Sequence, residues 1–496
     1  LANLRSAVPW IFLPLVLLTA QDMHAQEVVG AQARGDGIVA HSALGAFTED
    51  PGDAARGIGV DALVREAAAS ASSRPPGYVA STPSGAELDW NEAVGIAVNR
   101  YPTVAAALAT LGQQGEMVDV ARAGYKPRVQ AGVTSGGQGE YGNGQVATLG
   151  LSQMLYDFGK TSSAVARERA GVRREQAAVL QAIDDVVDKT AQALIEVHRY
   201  QALQRTSQAL IDALRKVREI TEMRAEAGAA TRSDPIQARA RMEAAQARAL
   251  EVDAQLRQWR SRLQTYVGPA AARAVADAPA GMSDAAQEAG ERDLWRVPAV
   301  LVAAAERDQA EAELDNARAQ RYPTVSLEAT ANQRMGRAGN RYEQIYGKSS
   351  YGAAFISVGG ALYQGGAAAA RSRASAGALA AAEARLDAER LAASDNLRFH
   401  RERMDGLNGR IVVLEQRLQS IAETRELYWD QYLSLGTRNV LDLLNAEQEI
   451  GQAQEDLANA RHDLWNAQLG YLVAAGRARA AFGLDNSRVQ GMEILP

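Results

Sequence analysis

The chain has 496 residues, no cysteine, 5 histidines and a formal charge of −6 at pH 7. Without cysteine there are no disulfides, thiolate metal sites or cysteine nucleophiles. The acidic balance argues against a nucleic-acid binder, which would show a basic domain or stripe, and His24, His41, His198, His400 and His462 lack the HExxH spacing of a metal hydrolase.

In chain order, residues 1–25 read as a secretory signal. Arg5 precedes an apolar run from Ala7 to about Ala20, and Ala25 offers a small residue for cleavage. The run contains Pro9 and Pro14 and falls short of the ~20 residues that a membrane helix needs. The chain is therefore expected to leave the cytoplasm without spanning a membrane by helices, and without an acylated cysteine. Residues 26–85, rich in Gly, Ala, Ser and Asp, end in SSRPPGYVASTPSG and hold no period. They read as a disordered extension.

From Leu88 the composition suits long helices. No proline lies between Pro127 and Pro235, or between Pro323 and Pro496. Each would cost about 3 kcal/mol in a helix interior. In TAQALIEVHRYQALQRTSQALIDALRKVREI, Leu194, Val197, Leu203, Leu210, Leu214 and Val217 follow mostly three-and-four spacing.

The helical tracts are interrupted twice by segments of period two. Val325, Leu327, Ala329 and Ala331 alternate with Ser326, Glu328, Thr330 and Asn332. Ala354, Ile356, Val358, Gly360 and Leu362 alternate with Phe355, Ser357 and Gly359. Strands with two unlike faces are predicted, each of about 10 residues, a length that crosses a bilayer in a tilted barrel. The windows Tyr125–Phe158 and Tyr322–Tyr363 hold 10 of the 27 aromatic residues, as interfacial girdles require.

The chain also repeats itself. ARAGYKPRV (Ala121–Val129) matches ARAQRYPTV (Ala317–Val325) at an offset of 196, and LYDFGK (Leu155–Lys160) matches LYQGGA (Leu362–Ala367) at 207. A third pair has the form G-x5-D-x2-[QN]-A, at Gly228–Ala238 and Gly436–Ala446, with an offset of 208. The unit is a helix, an extended hairpin, a very long helix, a tight turn and a helix. Gly228 and Gly436 are predicted left-handed C-caps. Ser233 or Asp234 is the expected cap of the helix after the first turn, with Pro235 in its opening turn, and Asn439 the cap after the second. Each motif is thus the tip of two antiparallel helices. Four strands cannot close a water-filled barrel, so the chain is expected to oligomerise, with a ring of three giving 12 strands.

Two short motifs carry no chemistry. Gly137, Gly139 and Gly142 form GxGxxG within a predicted hairpin loop, where a dinucleotide site needs a helix. GKTSS at Gly159–Ser163 would need a glycine where Met154 stands.

Taken together, the tandem repeat, LSQMLYDFGK and the tips, above all GTRNVLDLLNAEQE, resemble the TolC-like outer-membrane efflux and secretion channels from about Leu88 to Leu484. The resemblance implies a mainly α fold with a membrane β section. It implies a homotrimeric 12-stranded β-barrel joined to a long α-helical barrel, with repeats at 86–280 and 281–484 and a tail at 485–496. It places a periplasmic gate at Ser233 and Asp234 in the first copy and Arg438 and Asp442 in the second, with an Arg438–Asp234 pair across a helix boundary. Some members carry a second acidic ring where this chain has Asn445. The implied docking tips for a periplasmic adaptor are Gly228, Ala229, Ala230, Leu435, Gly436 and Thr437.

The same resemblance implies a passive conduit with no catalytic residues and no cofactor. It would sit in outer-membrane lipid and work with an inner-membrane ABC transporter or proton-driven pump. LYDFGK looks more like the branch that serves type I secretion of a large protein, such as an adhesin. Drug or small-molecule efflux is the alternative, and a periplasmic coiled-coil scaffold without a pore is a reading of another class.

Overall fold

A computed structural model describes residues 87–137, 143–288, 291–335, 343–345, 347–485 and 487–493. The predicted signal and extension, and most of the GxGxxG loop, lie outside these residues.

The first copy opens with α1 (Trp90–Arg100), capped by the Asp89 carboxylate, which accepts from the backbone N–H groups of Asn91 and Glu92. Pro102 starts α2 (Pro102–Arg122) at a position whose N–H would be unpaired anyway. Strands β1 (Arg128–Gly137) and β2 (Asn143–Tyr156) follow, then α3 (Lys160–Glu226) and α4 (Ser233–Val267). After α5 (Ala280–Glu288) the second copy repeats the order: α6 (Pro298–Ala319), β3 (Thr324–Met335), β4 (Ser350–Gly359), α7 (Ala367–Asp430) and α8 (Val440–Ala474). The short α9 (Ala478–Ala481) and a small hairpin, Arg488–Val489 with Met492–Glu493, close the chain. No described helix is long and apolar enough to cross a membrane.

At 1.5 Å rise per residue, the 67 residues of α3 and the 64 of α7 each span on the order of 100 Å. Such helices find no globular core and must pack sideways. α3 lies against α2 and α6 over part of its length and against α4 and α8 over the rest, while α7 packs on α6 and α8. The largest apolar cluster sits midway, where Trp90, Leu194, Leu263, Tyr471, Leu472 and Phe482 meet. Trp90 Nε1 also donates to the carbonyl of Ala276 at 2.9 Å.

The four strands form one antiparallel sheet in the order β1-β2-β3-β4, so the hairpins of the two copies join at β2–β3. Residues directly opposite share a face. One row runs Val129, Leu151, Ala329, Ala354 and the next on that face Ala131, Leu149, Ala331, Gly352. The other face carries rows such as Gln130, Gly150, Thr330, Ala353 and Gly132, Thr148, Asn332, Tyr351. There the Thr148 hydroxyl donates to Asn332 Oδ1 at 2.8 Å. The predicted alternation is therefore present as two continuous and unlike faces.

One strand is shorter than its pattern. The alternation ran on through Gly360 and Leu362, but β4 ends at Gly359. Gly360 crosses over Pro323, so close that a Cβ there would lie 2.9 Å from the Pro323 Cα. The chain leaves the sheet at that crossing, and Leu362 and Tyr363 sit in the connection to α7.

Candidate functional site

The two tips lie where α3 turns into α4 and α7 into α8. In the first, Gly228 has φ +73°, its N–H bonds the carbonyl of Ala225 at 3.1 Å, and Ala229 N–H bonds that of Arg224 at 2.7 Å. This is the Schellman pattern, and it satisfies carbonyls that the end of α3 would otherwise leave bare. No atom lies within 4 Å of a Cβ built on Gly228 or Gly436, so backbone conformation, not space, calls for glycine at both.

The entry to α4 corrects the sequence reading. Neither Ser233 nor Asp234 is the N-cap; they are the first two helical residues, and the cap position falls to Arg232, whose side chain makes no capping bond. A side-chain cap needs extended backbone, and Arg232 is already helical at φ −67°, ψ −15°. Thr231 ties the turn instead. Its hydroxyl donates to Asp234 Oδ1 at 2.5 Å and lies 2.6 Å from Ser233 Oγ. Asp234 still places its charge in the first turn, where the helix dipole favours it.

In the second tip α7 does not run straight into its glycine. Gln431–Leu435 form a π turn, and the N–H of Gly436 (φ +65°) bonds the carbonyl of Gln431. Thr437 N–H bonds the same carbonyl at 3.2 Å. Asn439 is the predicted cap: it is extended at φ −83°, ψ 150°, and its Oδ1 accepts from Leu441 N–H at 3.2 Å.

Arg438 is exposed and held on three sides. Its Nε donates to Gln431 Oε1 at 2.8 Å, its Nη1 lies 3.3 Å from Asp442 Oδ2, and its guanidinium stands 4.4 Å from the Tyr428 ring centre. Asp234 is engaged by Thr231 and Ser233, so the Arg438–Asp234 pair is not made within the chain. Gly228, Ala229, Leu435, Gly436, Thr437 and Asn445 are exposed, Ala230 partly so, and Leu435 keeps 64% of its surface.

An apolar knot holds the tips together: Leu214 and Val217 of α3, Ala238 and Met242 of α4, Tyr432, and Val440, Leu443 and Leu444 of α8. Across it, Arg224 Nη1 donates to the carbonyl of Tyr432 at 3.0 Å, with the guanidinium 4.7 Å from the ring centre. Burial raises the Tyr432 hydroxyl above its ordinary pKa; Arg224 opposes the shift and Asp234 adds to it. Motif reading missed this contact, since neither residue belongs to the shared pattern. One signal was available, because each stands four residues before its tip glycine. Further up, Trp429 Nε1 donates to buried Glu447 at 2.9 Å.

No group of acidic and histidine side chains among the described residues could hold a metal. The tips offer charge, backbone turns and small exposed surfaces.

Two tandem helical hairpins are tipped by glycine at one end and joined at the other by a four-stranded sheet with one apolar face. A family model described as outer membrane efflux protein matches residues 93–269 and 291–477, and the chain belongs to that family. Solved structures share its fold. VceC of Vibrio cholerae, 21% identical, superposes with a TM-score of 0.68 over 78% of this chain and 96% of its own. A membrane protein from Pseudomonas aeruginosa, 19% identical, scores 0.66 over 81% and 96%. The CmeC outer membrane channel of Campylobacter jejuni, 14% identical, scores 0.66 over 82% and 86%. No curated protein sequence matches the chain.

Proposed function

We propose that the chain is one third of a homotrimeric outer-membrane conduit that serves type I secretion of a large protein. The observation that carries the conduit is the sheet. Val129, Val133, Ile356 and Val358 leave about two thirds of their surface bare on one face, and among the described residues β1 and β4 each pair on one side only. An apolar face suits lipid, but open edges do not, because an unpaired backbone group in hydrocarbon costs several kcal/mol. Edge-to-edge closure removes the conflict. Bacterial barrels need at least eight strands, and three copies supply 12 under ring symmetry. The polar rows then line the lumen, and helices of ~100 Å carry the passage into the periplasm.

In this assembly Ser233, Asp234, Arg438 and Asp442 ring the inner end as a gate, with Asn445 in place of a second acidic ring. Gly228, Ala229, Ala230, Leu435, Gly436 and Thr437 meet the hairpin of a periplasmic adaptor. An inner-membrane ABC transporter supplies the energy. A pore-less scaffold would have no use for the bare apolar face.

The cargo assignment rests on the Leu155–Lys160 turn, which resembles that of secretion members. Small-molecule efflux is the second reading, favoured by the family description. A deletion strain of the native host decides between them. Loss of one large extracellular protein with unchanged drug sensitivity supports secretion. An unchanged extracellular profile with raised sensitivity to drugs and detergents supports efflux. Purified trimers that fail to conduct ions in a bilayer would refute the conduit itself.

A further inference from the structure

Far from the tips and the sheet, the long helices hold a buried pair of histidines that the conduit does not use. His198 of α3 and His462 of α8 face each other, Nδ1 to Nε2, at 2.8 Å. At the outer ends of the pair, His462 Nδ1 lies 2.6 Å from the Ala458 carbonyl and His198 Nε2 lies 2.9 Å from Asp277 Oδ1. Asp277 belongs to the segment that joins the two copies, just before α5 begins at Ala280.

The partners dictate where hydrogens must sit. A carbonyl and a carboxylate only accept, so His462 Nδ1 and His198 Nε2 must both donate. Two neutral imidazoles have only those two hydrogens to give. The facing nitrogens would then be bare and would meet lone pair to lone pair. The three contacts need three hydrogens, so the pair in this arrangement holds one proton beyond neutrality. His198 is its place, because a carboxylate stands at Nε2. His462 bonds a neutral carbonyl and feels Arg199, with Asp463 opposing. Trp465 compensates the buried charge: its ring centre lies 5.1 Å from that of His198 and 4.7 Å from that of His462, and a cation is drawn to an aromatic ring.

Without the extra proton one contact must open. The two rings are buried, whereas the Asp277 side chain keeps 91% of its surface, so water replaces the Asp277 bond at least cost. The residue before it stays tied: the Ala276 carbonyl accepts from Trp90, and its N–H bonds the Leu88 carbonyl at 3.1 Å. Release therefore starts at Asp277 and passes toward α5.

We propose that His198 and His462 form a proton-operated clasp, which fastens the segment between the copies to α3 and α8 when it holds one proton and frees Asp277 and the start of α5 when it does not. The clasp goes beyond the conduit reading and does not rest on it. The other charges that face it are Arg199 and Arg205 from α3, Asp463 from α8 and Glu87 from the residues before α1. Burial lowers the His198 pKa, Asp277 and Glu87 opposing and Arg205 assisting, so the clasp loads as pH falls below the ordinary 6.5.

The test uses full-length purified protein as wild type, Asp277→Ala and His198→Gln. Asp277 is exposed, so its replacement leaves the fold intact. Hydrogen exchange, corrected for the intrinsic effect of pH, is read at Met282, whose N–H bonds the Pro279 carbonyl. Ala475, in the same apolar cluster and bonded to Tyr471, is the control.

Between pH 7.5 and 5.5, wild-type protection at Met282 should rise roughly three- to tenfold, as one charge-assisted hydrogen bond to an exposed carboxylate allows, while Ala475 stays unchanged. Asp277→Ala should keep the low value at both pH values. Gln at 198 donates without titrating, so His198→Gln should show no pH dependence at whatever level it sits. No rise in wild type, a rise retained in either variant, or a rise shared by Ala475 overturns the clasp and leaves the conduit standing.

Discussion

Arg479 is the clearest place to test how the C-terminal segment is held. On α9 it is buried against Asp184 of α3; their side chains keep 9% and 6% of their surface. Its Nη1 donates to Asp184 Oδ2, while Asp184 Oδ1 has no hydrogen-bond partner among the described residues. Burial pushes the Asp184 carboxyl up to about 6, with Arg479 opposing and Asp185 and Asp485 adding to the rise. The sign follows from the unfolded value of 3.8. The folded chain holds this proton more tightly than the unfolded chain does. The stability this group contributes is therefore present at low pH and lost as pH rises through about 4 to 6. Above pH 6 the carboxylate is charged and depends on Arg479.

In Arg479→Ala the carboxyl rises further, and each unit above 6 adds about 1.4 kcal/mol of cost once the solution is more alkaline. The variant should lose about 3–5 kcal/mol at pH 8, as expected for a broken buried pair. At pH 5 Asp184 is mostly neutral in either protein, and the loss should shrink to about 1–2 kcal/mol from the missing hydrogen bond and packing. Urea unfolding of detergent-purified wild type and variant at both pH values measures the difference. An equal loss at pH 5 and pH 8 would refute the argument, because it would mean that Asp184 does not titrate against Arg479.

Three further outcomes are expected. Asn439→Ala should lower stability by about 1 kcal/mol through loss of its cap, whereas Arg232→Ala, which removes no capping bond, should stay within about 0.5 kcal/mol; thermal melts compare them. Leu149→Arg, on the apolar face, should cost about 2–4 kcal/mol of membrane stability and cut outer-membrane trimer sharply, while Thr330→Arg, on the polar face, should insert nearly as wild type; a fractionated blot reads both. His462 should stay neutral from pH 8 to 5.5, since burial holds it down to about 4, the Ala458 carbonyl opposing and His198 assisting. A base depressed in this way adds stability above its ordinary 6.5 that is lost as pH falls toward 4, about 3 kcal/mol in all. An imidazole midpoint near 6.5 by NMR would contradict it.

Much of this was legible in the sequence because long helices and two-faced strands are written as periods. The proline-free tracts announced long helices, since proline is costly anywhere inside one, but between residues 127 and 235 and between 323 and 496 they also cover strands and so bound neither α3 nor α7. The tip glycines were legible because a left-handed residue selects its own side chain. The entry to α4 was not, because Thr231, Ser233 and Asp234 are all competent to cap, and only the backbone of Arg232 decides among them. The π turn was present as arithmetic: the copies are offset by 207 at LY and by 208 at the tip. That slip of one residue says that something must bulge but not where. The histidines looked scattered. Yet α3 and α8 bring His198 and His462, 264 positions apart, to 2.8 Å. Pairing at that separation is a property of the packing and leaves no local pattern.

The copies also differ at the sheet end, and the difference has the same logic. Leading into α7, Gly365 takes φ +60° and Gly366 φ +84°, as glycine does without cost. Leading into α3, Phe158 takes the place of Gly365 at φ +55°, a backbone conformation that costs a bulky residue on the order of 1–3 kcal/mol. Its ring stacks on Tyr322 of the second copy at 5.2 Å and meets Tyr156 edge-on at 4.7 Å. Those contacts offset the strain only where the hairpins of the two copies join, so glycine serves at the equivalent position. The first copy is thus irregular at the sheet and regular at the tip, and the second is the reverse. In a ring of three, six hairpins of two kinds would alternate. A duplicated unit therefore need not give equivalent surfaces at either end, and a partner grasping the tips would meet threefold rather than sixfold symmetry.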